Sequence, residues 1–219
     1  LMRSSAASDV YKRQDLFHIH VLAARSNIEL LLEQAKEFKP QYIVITDKAK
    51  ADAFRYIYNG DAQILAGEDS LCEVVKVSEI DLVVVSVVGI AGLLPTLTAI
   101  KSGKELALAN KETLVVGGEL VTAAAKKYGV MIRPIDSEHS AIFQCLLGQD
   151  KKAVHKLILT ASGGPFFGKK EEELRYVTLQ DAMKHPTWNM GQKVTIDSAT
   201  MFNKAVSYTH LRAHETCAD

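Results

Sequence analysis

The sequence predicts an α/β protein, with a doubly wound parallel sheet in its leading part and a smaller α+β region after it. Three observations lead there. Short β-branched runs alternate with stretches of helical periodicity, the arrangement that gives parallel strands joined by crossover helices. The run DLVVVSVV, from Asp81 to Val88, has the Val-rich composition of a parallel strand covered on both faces. The polar residues able to do chemistry fall just after strand-like runs, where ligands sit on such sheets.

The elements follow in order. FHIHVLAA (Phe17 to Ala24) reads as a strand. Ser26 and Glu29 have the spacing of an S-x-x-E capping box, and Ile28, Leu31, Leu32, Ala35 and Phe38 follow at helical spacing. YIVIT (Tyr42 to Thr46) is the next strand. Ala51 to Tyr58 reads as a helix stopped by the turn signal Asn59-Gly60. DLVVVSVV is a third strand, with Leu93 to Lys101 as its crossover helix, and ELALA (Glu105 to Ala109) is a fourth. Glu119 to Tyr128 is a helix closed by Gly129. After about Val130 the pattern changes. VMIRPI is a strand ending at Asp136, Glu138 to Leu147 is a helix, and AVHKLILTA (Ala153 to Ala161) is a strand running into Ser162-Gly163-Gly164-Pro165. A charged helical stretch and the loop HPTWNM come next.

Composition narrows the class. Hydrophobic residues are 47% and charged residues 24% of 219, which is ordinary for a globular chain. Lys plus Arg and Asp plus Glu are 26 each, so the chain lacks the basic footprint of a general nucleic-acid binder. Cys72, Cys145 and Cys217 are odd in number and form no C-x-x-C pair, as expected of reduced thiols. Asp81 to Ile100 has the length of a membrane span. Gly89, Gly92 and Pro95 divide it into a strand, a turn and a helix instead, and no secretory signal opens the chain.

Leu1 to Gln14 and the stretch from Ser207 onward lack apolar periodicity and read as foreign or disordered ends. The expected organisation is 1–14 as one such end, 15–129 as a nucleotide-binding unit, 130–206 as a partial second domain, and 207–219 as the other end. No G-x-G-x-x-G turn precedes Phe17, so the chain is expected to enter its Rossmann-like sheet at the second strand.

Four stretches carry candidate chemistry. LANKET (Leu108 to Thr113) sets an amide, a cation and a carboxylate at a strand end, for which a plain polar turn is the simpler reading. PIDSEHSAIFQ (Pro134 to Gln144) places Asp136 and Glu138 two residues apart, a pair of oxygen donors suited to Mg²⁺ or Mn²⁺. The simpler reading is that Asp136 or Ser137 caps a helix and Glu138 favours its dipole, and His139 is not specific by itself. TASGGPF (Thr160 to Phe166) offers a hydroxyl and two permissive glycines, as a phosphate loop or an ordinary turn does. HPTWNMGQKVTIDSATMFNKA (His185 to Ala205) holds Ser198 as a candidate helix cap, with Asn203 and Lys204 about a turn away. A hydroxyl, an amide and an ammonium suit a phosphate.

Taken together, these strings, in this order, resemble the 1-deoxy-D-xylulose 5-phosphate reductoisomerase family from about Asp15 to Val206. VVGIAGLLPTLTAIKSGK (Val87 to Lys104) is similar to its strand–turn–helix as well. The resemblance implies a cytoplasmic bacterial enzyme, homodimeric when intact. It implies NADPH and a divalent cation, Mg²⁺ or Mn²⁺, as cofactors and a sugar phosphate as substrate, with neither nucleic acid nor membrane as partner. The implied reaction rearranges 1-deoxy-D-xylulose 5-phosphate and reduces it to 2-C-methyl-D-erythritol 4-phosphate, in non-mevalonate isoprenoid biosynthesis. It assigns Asp136 and Glu138 to the metal, and Lys111, Asp136, Glu138 and His185 to catalysis. Substrate contacts are implied for Lys111, Ser137, Glu138, Ser162, His185, Trp188, Ser198, Asn203 and Lys204, with His185 and Trp188 on a closing loop. NADPH contacts are implied for Arg25, Ser26, Asn27, Asn110, Glu112 and Gly191. Three departures stand out: the family's first strand and glycine turn, its C-terminal helical domain, and a third metal carboxylate, whose place Ser207 takes. These make the 219-residue chain an expected inactive fragment. A non-catalytic remnant, or another NADP-dependent dehydrogenase of semialdehyde or homoserine type, is the alternative.

Overall fold

The computed structural model describes residues 16–186 and 191–215, with backbone only for Lys151 and 210–215. Among the described residues, six parallel strands form two three-stranded sheets. In the first, β1 (Val21–Ala24) pairs with β2 (Tyr42–Ile45), which pairs with β3 (Gln63–Ala66). In the second, β4 (Leu82–Val85) pairs with β5 (Glu105–Leu108), which pairs with β6 (Ile132–Pro134). The strand at Ile132 thus continues the second sheet across the point where the sequence pattern changes.

Crossover helices make this register possible. The helices α1 (Ile28–Phe38) and α2 (Lys48–Ile57) pack Ile28, Leu31, Ala35, Ala51 and Phe54 against Ile43 and Ile45 of β2. On the other face of β2, Val44 meets Leu71 and Val74 of α3 (Asp69–Val74). So β2 is buried on both faces, as is β5 along Leu106, Ala107 and Leu108. The Val-rich β4 is not. Val83 and Val85 face the core, while Leu82 and Val84 are 39% and 53% exposed, because no described residue covers that side.

In the second half, a short 3₁₀ turn (Gly89–Gly92) leads into α4 (Leu93–Lys101). Then α5 (Lys111–Tyr128) runs eight residues earlier than its apolar periodicity indicates, because Asn110 caps it. It ends, as expected, where Gly129 turns left-handed at φ 67°, a conformation that costs glycine no Cβ clash. Ala99, Ile100, Leu106, Leu108, Leu114 and Val121 form the core here.

Beyond β6 come α6 (Ser137–Leu146), a 3₁₀ turn at Gly164–Phe166, and two short helices, α7 (Glu171–Leu174) and α8 (Leu179–Ala182). Then follow α9 (Gln192–Ala199) and α10 (Phe202–Glu215), which packs along α5.

Several expectations are corrected. The first strand is four residues, not eight. The cap of α1 is Asn27, whose side chain accepts from the Leu30 amide, not Ser26. The stretch Ala153 to Ala161 is not a strand: no described strand lies beside it to complete a ladder, and Leu157 and Ile158 are 40% and 69% exposed. Ser198 lies inside the last turn of α9 rather than at a cap. Strand β3 and helix α3 were not anticipated. The helix α10 runs unbroken through Ser207 to Glu215, so that stretch is regular backbone even without an apolar stripe. The expected foreign segment 1–14 and the last four residues lie outside the described residues.

Candidate active site

The ends of β5 and β6 deliver two helix N-termini to one place. After β5, Asn110 caps α5 and its side-chain oxygen accepts from the Thr113 amide at 2.7 Å. Its amide group donates to the carbonyl oxygens of Val87 and, at 2.8 Å, Gly89. Only one orientation of the amide satisfies all three partners. Asn110 therefore welds the Val87–Gly92 turn to the start of α5, and Lys111 emerges from that joint. With both N–H donors engaged and only 3% exposure, the Asn110 side chain has no donor left for a nucleotide.

After β6, Asp136 occupies the N-cap position of α6, but its carboxylate makes no cap bond. It turns into the cleft. Oδ1 accepts from Lys111 Nζ at 2.9 Å, and Oδ2 accepts from His139 Nδ1 at 2.7 Å. Glu138, in the first turn, lies 3.8 Å from the same Lys111 and is paired with Lys204 of α10. The Asp136, Glu138, Lys111 and Lys204 side chains are 14–18% exposed, and that of His139 is 3%. Burial opposes ionisation of Asp136, but the His139 hydrogen bond and the Lys111 charge outweigh it, holding the carboxyl well below the usual range. The simple helix-cap reading is therefore set aside: a capping Asp would face the amides of α6.

Helix α10 closes the cluster. Ser207, fully buried, donates to the Asn203 carbonyl at 2.9 Å and accepts from Lys111 Nζ at 3.3 Å. The place that the family pattern gives to a third carboxylate thus faces the cluster, with a hydroxyl in it. The buried side-chain oxygen of Asn203 has no partner among the described residues.

A second group gathers on the Ser162–Gly164 loop. Ser162 Oγ lies 3.3 Å from His185 Nε2 and accepts from the Gly164 amide at 3.3 Å. Gly164, at φ 66°, is so close to α9 that a Cβ would sit 2.8 Å from the Ser198 carbonyl. Ser198 is 6% exposed. The α9–α10 connection joins this group to the carboxylates. Glu112 contributes to the electrostatic environment of Lys193, at the start of α9 beside Gly191, although the Lys193 ammonium is stabilised first by its bond to Asp197. Ser137 is exposed at the rim. Arg25, Ser26 and Asn27 lie past β1, exposed, on the other sheet. Trp188 lies outside the described residues.

Two carboxylates and a hydroxyl are hard oxygen donors, and they fit a divalent cation that keeps part of its water shell. Among the described residues no group of three or more His, Cys, Asp and Glu is placed to hold a metal ion together, so Asp136 and Glu138 are the protein's charged contribution. The sequence pattern missed His139. Its signal is positional: a histidine three residues after an N-cap Asp is within reach of that carboxylate.

Comparison with known proteins gives this geometry a context. The family model described as 1-deoxy-D-xylulose 5-phosphate reductoisomerase matches residues 5–118, and that of the reductoisomerase C-terminal domain matches residues 132–214. The reductoisomerase of Thermoanaerobacter sp. (strain X514) is 53% identical over 197 residues, 90% of this chain and 51% of that protein. That of Chloroherpeton thalassium is 50% identical over 186 residues, 84% of this chain and 48% of that protein. The chain thus spans about half the length of these curated relatives. A crystal structure of DOX-P reductoisomerase with NADPH, fosmidomycin and magnesium superposes with a TM-score of 0.83 at 39% identity, over 93% of this chain and 53% of that one. The Zymomonas mobilis enzyme in complex with NADPH gives 0.82 at 35% identity, over 94% and 53%.

Proposed function

This chain belongs to the 1-deoxy-D-xylulose 5-phosphate reductoisomerase family, and from that membership we propose that it carries the sheet and cleft of an NADPH- and divalent-metal-dependent enzyme. The reaction is the rearrangement of 1-deoxy-D-xylulose 5-phosphate and its reduction to 2-C-methyl-D-erythritol 4-phosphate.

The observation that carries the proposal is the Asp136 carboxylate, which forgoes its helix and turns with Glu138 into a cleft between two lysines. When bound, a divalent cation supplies Lewis-acid polarisation of a carbonyl oxygen. Asp136 and Glu138 hold that cation. Lys111 favours the ionised form of Asp136 and offers its N–H groups to a substrate oxygen. Lys204 and Asn203 of α10 and the Ser162 and Ser198 hydroxyls form a cation-and-donor set for the phosphate. A divalent ion added to two carboxylates and two lysines leaves the cleft cationic, which is the charge an anionic substrate neutralises. His185, 3.3 Å from the Ser162 hydroxyl, belongs with the residues that cover the substrate and exclude water. Arg25 past β1, with Ser26 and Asn27, receives the adenosine side of NADPH, where a guanidinium favours its extra phosphate. Glu112 and Gly191 flank the nicotinamide side.

The homodimer and the cytoplasmic location belong to the same proposal. No described helix is long and apolar enough to cross a membrane. Family membership sets aside the semialdehyde- or homoserine-type dehydrogenase, which has no use for the Asp136–Glu138 pair.

The test is an EPR titration of the protein with Mn²⁺, with and without 1-deoxy-D-xylulose 5-phosphate. Substrate should tighten Mn²⁺ binding, and Asp136→Asn and Glu138→Gln should each weaken it. Mn²⁺ binding that is the same in both variants as in the parent, or indifferent to substrate, overturns the assignment.

A further inference from the structure

One buried side chain outside the family's motif roles touches the cluster on two sides. His139 is 4% exposed and stands on α6 three residues after the N-cap Asp136. Its Nδ1–H donates to Asp136 Oδ2 at 2.7 Å, and the opposite edge of the ring, at Nε2, lies 3.2 Å from the main-chain carbonyl of Ser207. We infer that His139 is a positioning residue, which holds the Asp136 carboxylate turned into the cleft and keys it to the main chain of α10.

The geometry supports this in three ways. An N-cap aspartate ordinarily satisfies a free amide in the first turn of its helix. Here α6 goes without that bond, and the carboxylate meets the side chain at this third position instead of the backbone. Next, Lys111 takes Oδ1 and His139 takes Oδ2. With one partner a carboxylate turns about a single contact; with one on each oxygen its plane is set. Finally, the ring bridges two helices. Ser207 lies one turn beyond Asn203 and Lys204, so a ring wedged against its carbonyl fixes α10 relative to Asp136. Histidine suits the task because it is rigid and has a polar atom at each edge. Hydrogen-bond partners of metal-ligating carboxylates set ligand orientation in the same manner, and their loss costs metal affinity.

The inference rests on Asp136 being a metal ligand, and the experiment separates the two. Mn²⁺ dissociation constants are measured by EPR on the 219-residue protein and on His139→Ala, His139→Asn, His139→Gln and Asp136→Asn, alongside thermal unfolding in EDTA. An asparagine amide sits near the Nδ1 position and retains a donor for Asp136, whereas glutamine reaches toward Nε2 and the Ser207 carbonyl. His139→Ala should weaken Mn²⁺ roughly tenfold or more, His139→Asn should recover most of the loss, and His139→Gln should not. If the alanine variant does not fold, the asparagine–glutamine comparison decides. A merely structural histidine would lower the unfolding temperature in all three variants and leave Mn²⁺ affinity unchanged. That result overturns the proposal, as does rescue by glutamine and not asparagine, or asparagine no tighter than alanine. Should Asp136→Asn bind Mn²⁺ like the parent, the metal site itself fails. If only Asp136→Asn weakens binding, the role of His139 alone fails.

Discussion

Replacing Asn110 should disturb the joint between the Val87–Gly92 turn and helix α5 more than its size suggests. The side chain is 3% exposed and satisfies the Thr113 amide and the carbonyls of Val87 and Gly89. Losing a helix cap costs about 1 kcal/mol. Each of the two remaining hydrogen bonds contributes about 1 kcal/mol net, with a further cost for buried carbonyls left bare. Asn110→Ala should therefore destabilise the protein by about 2–4 kcal/mol. Asn110→Asp is the sharper probe. It keeps the acceptor for Thr113 and gains about 0.3–1 kcal/mol from a negative charge at the start of a helix. It also turns an oxygen toward two carbonyl oxygens, with no proton to share. The amide orientation in the structure predicts that Asp is no better than Ala at neutral pH. Its deficit should shrink on acidification, since the protonated carboxyl regains a donor and is the form the fold favours. Urea unfolding at neutral and mildly acidic pH measures both. An aspartate variant within about 0.5 kcal/mol of the parent at neutral pH would refute the reasoning.

Two further predictions concern backbone and core. Gly164→Ala should cost about 1–3 kcal/mol from its left-handed backbone alone, and its Cβ would meet the Ser198 carbonyl at 2.8 Å, forcing the loop off α9. Gly163→Ala, also left-handed, has its nearest contacts with side-chain atoms of the exposed Phe167, which can swing into solvent, rather than with backbone, and should cost less; thermal unfolding of the pair checks the order. Phe54→Ala should cost about 3–5 kcal/mol, because the ring is fully buried among Ile28, Leu31 and Ile43 and stacks on Tyr58 at 5.3 Å. Tyr56→Ala, two residues away and 89% exposed, should change stability by less than about 0.5 kcal/mol in the same urea titration.

Elements with strong local signals were legible. Ile28, Leu31 and Ala35 recur at helical spacing and form the buried face of α1. Gly129 ends α5 where a left-handed residue was expected. What failed was decided by neighbours. The run Ala153 to Ala161 holds the β-branched Val154, Ile158 and Thr160, yet a strand needs a ladder, and no described strand lies beside it. The Val-rich β4 has a buried strand's composition with one face open, since composition reports what a face tolerates rather than what covers it. Strand β3 is four residues beginning with an exposed Gln, too short for periodicity to register.

The candidate site shows the same division at the level of single atoms. Asp136 and Glu138 were visible as a pair, but the sequence left open whether they cap a helix or face a ligand, because both readings need the same residues at the same spacing. The decision lies in which way the Asp136 carboxylate turns, and that is set by Lys111 from the preceding helix and by nearby His139, itself braced by the distant main chain of Ser207. Ser207 makes the point from the other side. Its aperiodic neighbourhood reads as a stray end, yet it is buried, and its hydroxyl accepts from the lysine that binds Asp136. A hydroxyl there brings no charge, so among the described residues the two carboxylates face the ammonium groups of Lys111 and Lys204. A hard cation entering such a cleft gains two anionic ligands and meets two ammonium groups. Its affinity then depends on an anion arriving to engage the lysines, which is why substrate-dependent tightening of Mn²⁺ is the outcome that distinguishes this site from a pair of surface carboxylates.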